Sequence, residues 1–191
     1  MKKQVLGILF LFVLTVCASA QTTDKTVEKI RAHYNDVAEK AQMAQSDADQ
    51  GQFGELVFNE LNVNTGNHQW RAVGIYNLSY KFFYKGGDTE AHMYPDKLVF
   101  VTVDKKISSR EYKEEYLYSD AGVLMFYSQT AENDDQTPAK RLAYFSAAKP
   151  IRIVEDGKTR DKLTAKDTAT IKEITGQSRK IKEVFLKSIN L

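Results

Sequence analysis

The most regular hydrophobic pattern in the chain is an alternation that runs from His68 to Lys85. Every second position from Trp70 to Tyr84 is apolar, aromatic or glycine, whereas the positions between them are mixed to polar. A period of two predicts a β-strand with one face against the core. Because the stretch is far longer than an ordinary strand of about 5–6 residues, we expect it to bend at Gly74.

A helical periodicity precedes this stretch. Asp24 to Asp49 is predicted to be a helix that Thr23 or Asp24 caps and Gly51 ends. Its apolar residues follow one another at steps of three and four, which places them on a single stripe. The stripe consists of Val27, Ile30, Tyr34, Val37, Ala41 and Ala44.

A second helix is predicted at the end of the chain, from Thr164 to Asn190. Thr164 and Asp167 stand in the spacing of a capping box, with Asp in place of the more usual Glu. Gly176 interrupts the helix and is expected to kink or split it, since glycine costs about 1 kcal/mol there relative to alanine.

The segments between the helices predict about seven strands, most of them joined by short turns. The clearest hairpin spans 109–130, with a turn at Ser119 to Gly122. Its expected register places Tyr118 opposite Leu124 and Tyr116 opposite Phe126. The other strands are predicted at 53–64, 97–104, 140–145 and 151–155, with a short turn at 104–106.

These elements predict an α+β fold. Short links imply antiparallel neighbours, and helices segregated to the two ends of the chain imply helices on one face of the sheet. We therefore expect a curved antiparallel β-meander of about seven strands, with the N-terminal and C-terminal helices packed on it. A partly closed β-barrel with flanking helices is the alternative.

Residues 1–20 have the pattern of a secretory signal peptide, so 21–191 is predicted to be a single domain. Lys2 and Lys3 precede a short apolar run, and Ala18 to Ala20 supplies small residues for cleavage. We expect a periplasmic or extracellular protein with no transmembrane segment once the leader is removed. An uncleaved anchor and a lipid anchor on Cys17 are the alternatives.

The charges balance once the leader is set aside. The whole chain has 27 basic and 25 acidic residues, and the two lysines of the leader account for the difference. A net charge of zero gives no general attraction for nucleic acid. Cys17 is the sole cysteine, so residues 21–191 contain no disulfide and no thiol nucleophile.

Two short blocks carry a resemblance to other proteins. The first is Ile30 to Tyr34, and the second is Arg110 to Tyr118 with Gly122, Leu124 and Phe126 after it. In these blocks the chain resembles a group of exported single-domain bacterial proteins to which no activity is assigned. The resemblance implies an exported protein with this layout and no catalytic residue. The last hairpin departs from the layout, because Ala147 to Lys149 stands where Asp or Asn and Gly would be expected.

The sequence predicts neither a metal nor another cofactor. His33, His68 and His92 lack the spacing of a zinc site. Asp134 and its neighbours lack the EF-hand pattern, which favours a solvated loop over a calcium site. The acidic residues of this loop are Glu132, Asp134 and Asp135.

Two acidic residues are candidates for acid–base chemistry, Glu114 and Asp134. Glu114 is expected to share a strand face with Tyr112 and Tyr116, where an aromatic surround would raise its pKa. No second carboxylate can be placed at the distance that a glycosidase needs, and no nucleophile motif occurs. We therefore expect charges on a partly solvated strand rather than a catalytic pair.

The abundance of tyrosine is the feature with functional potential. All ten tyrosines follow the leader, and each buried hydroxyl needs a hydrogen-bond partner. They could lie at sheet edges with their hydroxyls in water, or they could line a binding surface. On the second interpretation the protein is a non-enzymatic binding module for a small molecule, glycan, lipid or protein. Its contacts would be Trp70, Tyr112, Tyr116 and Tyr118. A hydrolase and a subunit of an envelope assembly are the alternatives.

Overall fold

The residues that the structure describes form two helices and nine strands. The computed structural model describes residues 2–46, 55–72, 74–87, 90, 94–132 and 138–189, with 2–21 and 138 described by their backbone alone. The elements in chain order are α1 (Lys2–Ala44), β1 (Val57–Val63), β2 (Gln69–Trp70), β3 (Gly74–Gly86), β4 (Pro95–Ile107), β5 (Arg110–Tyr118), β6 (Leu124–Glu132), β7 (Pro138–Ser146), β8 (Lys149–Glu155), β9 (Lys158–Arg160) and α2 (Ala165–Ile189).

The strands form one antiparallel sheet in the order β1-β3-β4-β5-β6-β7-β8-β9, with β2 paired to β3 beyond the end of β1. From β3 to β9 each strand pairs with the next one along the chain, as the meander prediction requires. The sheet is open, with β1 and β9 at its two edges. The α+β prediction is therefore confirmed, and the alternative of a partly closed barrel is wrong.

The two helices lie on opposite faces of the sheet. The stripe of α1 packs against Phe83, Phe100 and Phe126, whereas α2 packs against Phe82 and the strand residues that alternate with that set. The expectation that both helices cover one face is therefore wrong. It fails because the central strands are apolar on both faces, and each face needs its own cover.

The stretch from His68 to Lys85 is a tight hairpin followed by a strand. Trp70 pairs with Gly74, so the chain reverses between them, and both Ala72 and Gly74 have positive φ, at 71° and 69°. The expected bend at Gly74 is present but is a full reversal. The alternation predicted for one long strand holds for β3 alone.

A β-bulge changes the register that was expected for β5 and β6. Tyr118 pairs with Leu124 as predicted, but a register shift then places Tyr127, and not Phe126, opposite Tyr116. Phe126 therefore points to the α1 face and Tyr127 to the α2 face. A single extra residue has this effect because side chains alternate along a strand.

Three further details of the hairpins differ from expectation. The segment 104–106 belongs to β4, which continues to Ile107 before it turns. The turn between β7 and β8 consists of Ala147 and Ala148, both with positive φ. Strand β9, which was not predicted, follows a turn at Asp156 and Gly157; this Asp-Gly pair between two strands is a known hairpin signal.

The apolar stripe predicted for α1 is confirmed. Val27, Ile30, Val37 and Ala41 are buried, and Tyr34 packs partly buried against the same cluster. The predicted cap is wrong, because the helix already begins at Lys2 and runs through Thr23 and Asp24 without a break. It ends at Ala44, and the predicted end at Gly51 lies outside the described residues.

Helix α2 begins at the predicted capping box. The backbone N–H of Asp167 donates to Thr164 Oγ1 at 3.1 Å, and the N–H of Thr164 donates to Asp167 Oδ2 at 2.9 Å. These two bonds satisfy donors that a helix N-terminus otherwise leaves without partners. Gly176 lies within an unbroken helix, so the expected interruption is absent.

Across the described residues, neither helix combines the length and the apolar character that crossing a bilayer requires.

The position of Gly176 allows a test of the helix. A Cβ built there meets no atom within 4 Å, and the residue has ordinary helical φ. We expect Gly176→Ala to raise the free energy of unfolding by about 1 kcal/mol, because alanine has the higher helix propensity. Urea denaturation of the two proteins would measure the change.

Gly157→Ala is the matched control. This site has equal space around it but a φ of +80°, which alanine adopts only at a cost. The control should therefore lower the stability. A stabilising Gly157→Ala, or a destabilising Gly176→Ala, would contradict the described backbone.

Candidate functional site

Tyr116 and Tyr118, two of the predicted ligand contacts, are core residues. Each is 1% exposed, and both lie under α2. The hydroxyl of Tyr118 donates to the carbonyl of Ser178 at 3.3 Å and accepts from Ser178 Oγ at 3.1 Å. Burial therefore excludes these two side chains from a binding surface, which corrects the interpretation of an open aromatic face.

The buried hydroxyls of the other tyrosines also have partners. The hydroxyl of Tyr34 donates to Glu115 Oε2 at 2.7 Å, and that of Tyr144 accepts a hydrogen bond from Arg31 Nε at 2.8 Å. Burial and the neighbouring carboxylate raise the pKa of Tyr34 above its ordinary value. The expectation of tyrosines at sheet edges with hydroxyls in water is therefore wrong for these residues, which join helices to the sheet.

Glu114 is a buried structural acid. Its Oε1 accepts from Lys105 Nζ at 2.5 Å, and its Oε2 accepts from the hydroxyl of Tyr116 at 2.6 Å. Burial, followed by the charge of Glu114, raises the pKa of Tyr116, which therefore remains a hydrogen-bond donor. Because both carboxylate oxygens are engaged, Glu114 stabilises the sheet and is not positioned as an acid or base for a ligand.

A row of polar side chains continues from Glu114 across the sheet to the start of α2. Arg141 donates to Gln129 at 3.1 Å and to Glu155 at 2.6 Å. Arg160 then links Glu155 to Asp167, with Nη2 at 3.2 Å and 2.7 Å from the two carboxylates. This row borders the apolar contact of α2 and fixes its N-terminal end over β8 and β9.

Asp167 is the best-partnered acid of this row. It is 2% exposed, and hydrogen bonds from Arg160 and then from the backbone of Thr164 hold the pKa of its carboxyl well below the usual range. The carboxylate therefore stays charged, as the capping box needs.

The remaining candidates from the sequence are spread over the molecule. Trp70 is 46% exposed and packs against Tyr76 with ring centroids 5.0 Å apart and the rings tilted by 33°, at the turn between β2 and β3. Tyr112 is half-buried near the start of β5. The structure therefore does not bring the four predicted contacts together on one surface.

Where the structure describes them, the acidic and histidine candidates do not form a metal site. Asp134, Asp135 and His92 lie outside the described residues. Among the residues that are described, no three His, Cys, Asp or Glu side chains form a group that could hold a metal ion.

A trough of about 740 Å³ crosses the strand ends that the helices leave uncovered. Three neighbouring residues from each of β3, β4, β5 and β6 line it, together with the end of β1 and the turn after it. The lining residues are Asn62, Val63, Asn64, Thr65, Asn77, Leu78, Ser79, Asp104, Lys105, Lys106, Glu111, Tyr112, Lys113, Thr130, Ala131 and Glu132.

The strand register divides the lining residues between the two faces of the sheet. The middle residue of each triplet, such as Leu78, points toward α2. The residues on either side of it therefore point to the α1 face, where they form two parallel rows with strand backbone between them. One row is Asn62, Ser79, Asp104, Lys113 and Thr130, and the other is Asn64, Asn77, Lys106, Glu111 and Glu132.

The trough has ordered borders. Asn64 Nδ2 donates to the carbonyls of His68 and Tyr76 at 2.8 and 2.9 Å, which fixes the turn after β1 against β3. On the side toward α1, Glu115 accepts from the hydroxyl of Tyr34 and lies 3.5 Å from Lys113 Nζ. The trough is thus positioned by the same contacts that dock α1.

Of the lining residues, the sequence predicted Tyr112 as a ligand contact. It missed the two rows, because they are polar residues from five separate segments. The alternation within each strand is visible in the sequence. Their assembly into two rows depends on cross-strand register, which a single sequence does not specify when both faces of a strand end are polar.

A smaller concavity of about 470 Å³ lies at the opposite strand ends, lined by Glu55, Lys85, Gly86, Lys97 and Asp120. Lys85 Nζ is 2.6 Å from Asp120 Oδ1, and this contact lowers the pKa of the Asp120 carboxyl. The two charges satisfy each other, which makes this the weaker candidate for a ligand.

No family model matches this chain, and searches of curated proteins and of solved structures return no significant match either. The resemblance to exported bacterial proteins stays a prediction.

The structural role of Glu114 predicts a strong coupling with Lys105. Their side chains are 6% and 22% exposed, and loss of one partner leaves the other charge desolvated. We expect Glu114→Gln to lower the free energy of unfolding by about 2 kcal/mol, and Lys105→Met in the same protein to restore part of that loss. Urea denaturation of the four proteins of this double-mutant cycle would measure the coupling.

The pair Lys106 and Glu111 is the matched control, since it joins the same two strands at 3.1 Å but with both side chains exposed. Its coupling should stay below about 1 kcal/mol. Equal coupling in the two cycles would show that Glu114 has no special structural role.

The lowered pKa of the Asp167 carboxyl predicts that the protein loses stability in acid. Because its pKa is lowered on folding, the unfolded chain binds the proton more readily, and stability falls as the pH drops below about 4. We expect Asp167→Asn to lose stability at neutral pH and to show a shallower decline in acid. Denaturation midpoints measured between neutral pH and acid would test this, with Glu173→Gln, an exposed site on the same helix, as the control. Parallel curves for wild type and Asp167→Asn would contradict it.

Proposed function

We propose that this chain is an exported, non-enzymatic binding protein that holds an elongated, polar and nearly neutral ligand, such as an oligosaccharide, in the trough on the α1 face. The observation that carries the proposal is the make-up of the two rows that flank the trough. All ten of their side chains are amides, hydroxyls or charged groups.

The polarity of the rows favours a hydroxyl-rich ligand over a lipid. An acyl chain needs apolar walls to replace water, and only four of the sixteen lining residues are apolar or aromatic, namely Val63, Leu78, Tyr112 and Ala131. Amides such as Asn62 and Asn77 can both donate and accept, and Thr130 adds a hydroxyl. This mixture suits the many donors and acceptors of a glycan.

The charges of the trough favour a nearly neutral ligand. Lys106 and Glu111 are 3.1 Å apart, and Asp104 stands directly opposite Lys113 in the register of β4 and β5. With acids and bases interleaved, no single-sign field is present to attract a polyanion or a polycation.

The length of the trough favours an extended molecule. It crosses five strands, and four spacings of about 4.8 Å give a length of roughly 19 Å. The long axis runs across the strands, so each strand contributes a similar pair of polar side chains. A ligand with a repeating unit would meet a repeating set of partners.

The hydrolase alternative has less support. Glu114 does not line the trough, is buried and has both oxygens engaged. Of the acids that do line the trough, Glu111 is paired with Lys106. A binding role needs no catalytic pair and is the simpler reading of this surface.

Calorimetric titration of the protein with a panel of neutral oligosaccharides would test the proposal. We expect binding by at least one of them. The double change of Asn62→Ala with Thr130→Ala should weaken it about thirtyfold, since each lost hydrogen bond contributes about 1 kcal/mol. Both side chains are exposed, so the fold should survive their replacement.

Thr159→Ala on β9 is the matched control, because it removes an exposed strand hydroxyl far from the trough. It should leave the affinity unchanged. A panel with no binder, or a binder whose affinity ignores the Asn62 and Thr130 changes, would overturn the proposal.

A further inference from the structure

The two edges of the sheet are protected to different degrees. Strand β9 is three residues long and carries Lys158 and Arg160, and short charged strands are a common defence against edge-to-edge pairing. Strand β1 is seven residues long, has Glu60 as its one charged residue, contains no Lys, Arg or Pro, and pairs with β3 without a register shift. The edge at β1 is therefore longer and less charged than the edge at β9.

The edge at β1 also exposes apolar side chains. Val57 is 42% exposed and Leu61 is 37% exposed, and both point to the α2 face, since they pair with Tyr84 and Tyr80. Within the described ranges, no strand pairs with the outer side of β1. Its outward backbone groups and these two side chains are therefore available to another strand.

We propose that β1 is a dimerisation edge, at which a second copy of this chain adds its own β1 in antiparallel orientation. Pairing of identical strands about a two-fold axis is isologous and closes on itself. The combined sheet would then end in β9 on both sides, so only the protected edges would remain. The opposite arrangement, β1 against β9 of the next copy, would place three residues against seven and would not close.

The sequence of β1 favours one register. With the axis at Asn59, Val57 lies opposite Leu61 of the second copy, and the same contact forms again on the other side of the axis. Phe58 then lies opposite Glu60, and the two Asn59 side chains face each other. Shifting the axis to Glu60 would place two carboxylates opposite one another, which is destabilising.

The dimer would present two troughs on one surface. A two-fold axis perpendicular to the sheet keeps both α1 faces on the same side. In the register centred on Asn59, the position Val63 and its equivalent are eight residues apart along the strands, or about 27 Å. If the trough binds a repeating ligand as proposed above, one long ligand could occupy both, with a gain in avidity.

Sedimentation of the whole chain would test the proposal without any ligand. We expect the mass of two chains for the wild type, and an at least tenfold weaker association for Leu61→Lys, because a lysine on the edge opposes pairing. Thr159→Lys on β9 is the matched control and should remain a dimer. Val57→Lys repeats the test at the other apolar position, and thermal melts would establish that each variant is folded.

Paired cysteines would test the register, in a Cys17→Ser background. Val57→Cys with Leu61→Cys should give a rapid intermolecular disulfide, because the two positions face each other across the axis within the range of about 4.4–6.8 Å between Cα atoms. Val57→Cys with Val63→Cys, which reports the register centred on Glu60, should crosslink at least tenfold more slowly. A monomeric wild type, a folded dimer that survives both lysine variants, or faster crosslinking in the second pair would overturn the proposal.

Discussion

The structure depends on one constraint, which is that the central strands must be shielded from water on both faces. Phe82 and Phe83 are adjacent in sequence, point in opposite directions and are both fully buried. A sheet of this kind is stable only between two layers. The terminal helices supply these layers, and their distance in sequence lets them reach opposite faces. Tyrosine suits the contacts, because its ring fills the core while its hydroxyl reaches partners such as Glu115 and Ser178.

The position of the trough follows from the same constraint. Strands β3 and β4 are 13 residues long, which at about 3.4 Å per residue is roughly 44 Å. A helix that crosses them is only about 10–12 Å wide with its side chains. The strands therefore project beyond the cover, and the projecting part must be polar. The candidate binding surface is the region that the helices cannot reach, and its polarity is a requirement of solubility as well as a source of hydrogen bonds.

Local patterns in the sequence predicted the elements well, and long-range relations less well. The stripe of α1 and the capping box of Thr164 and Asp167 were predictable because each depends on residues within a few turns of one helix. The turn at Ser119 to Gly122 was predictable for the same reason. The bulge that moves Phe126 to the other face depends on packing across three strands, and no local signal marks it.

The candidate site shows the same division. Tyr112, one of the predicted contacts, lines the trough, but Tyr116 and Tyr118 were assigned to a surface because their alternation gives no information on what covers the face. The same alternation occurs in a core face and in a binding surface, and only the position of α2 distinguishes the two. The two polar rows combine five segments, and each segment alone resembles an ordinary solvated strand.

The turn between β7 and β8 has a consequence for the order in which the sheet assembles. Ala147 and Ala148 both adopt left-handed backbone, with φ of 47° and 66°, which is unfavourable for a residue with a Cβ. The turn between β5 and β6 needs such a conformation only at Gly122, where it costs little. The β5–β6 hairpin can therefore nucleate by itself. The β7–β8 hairpin is expected to close only once β6 offers a surface on which β7 can lie, so the sheet would grow outward from its middle toward β9.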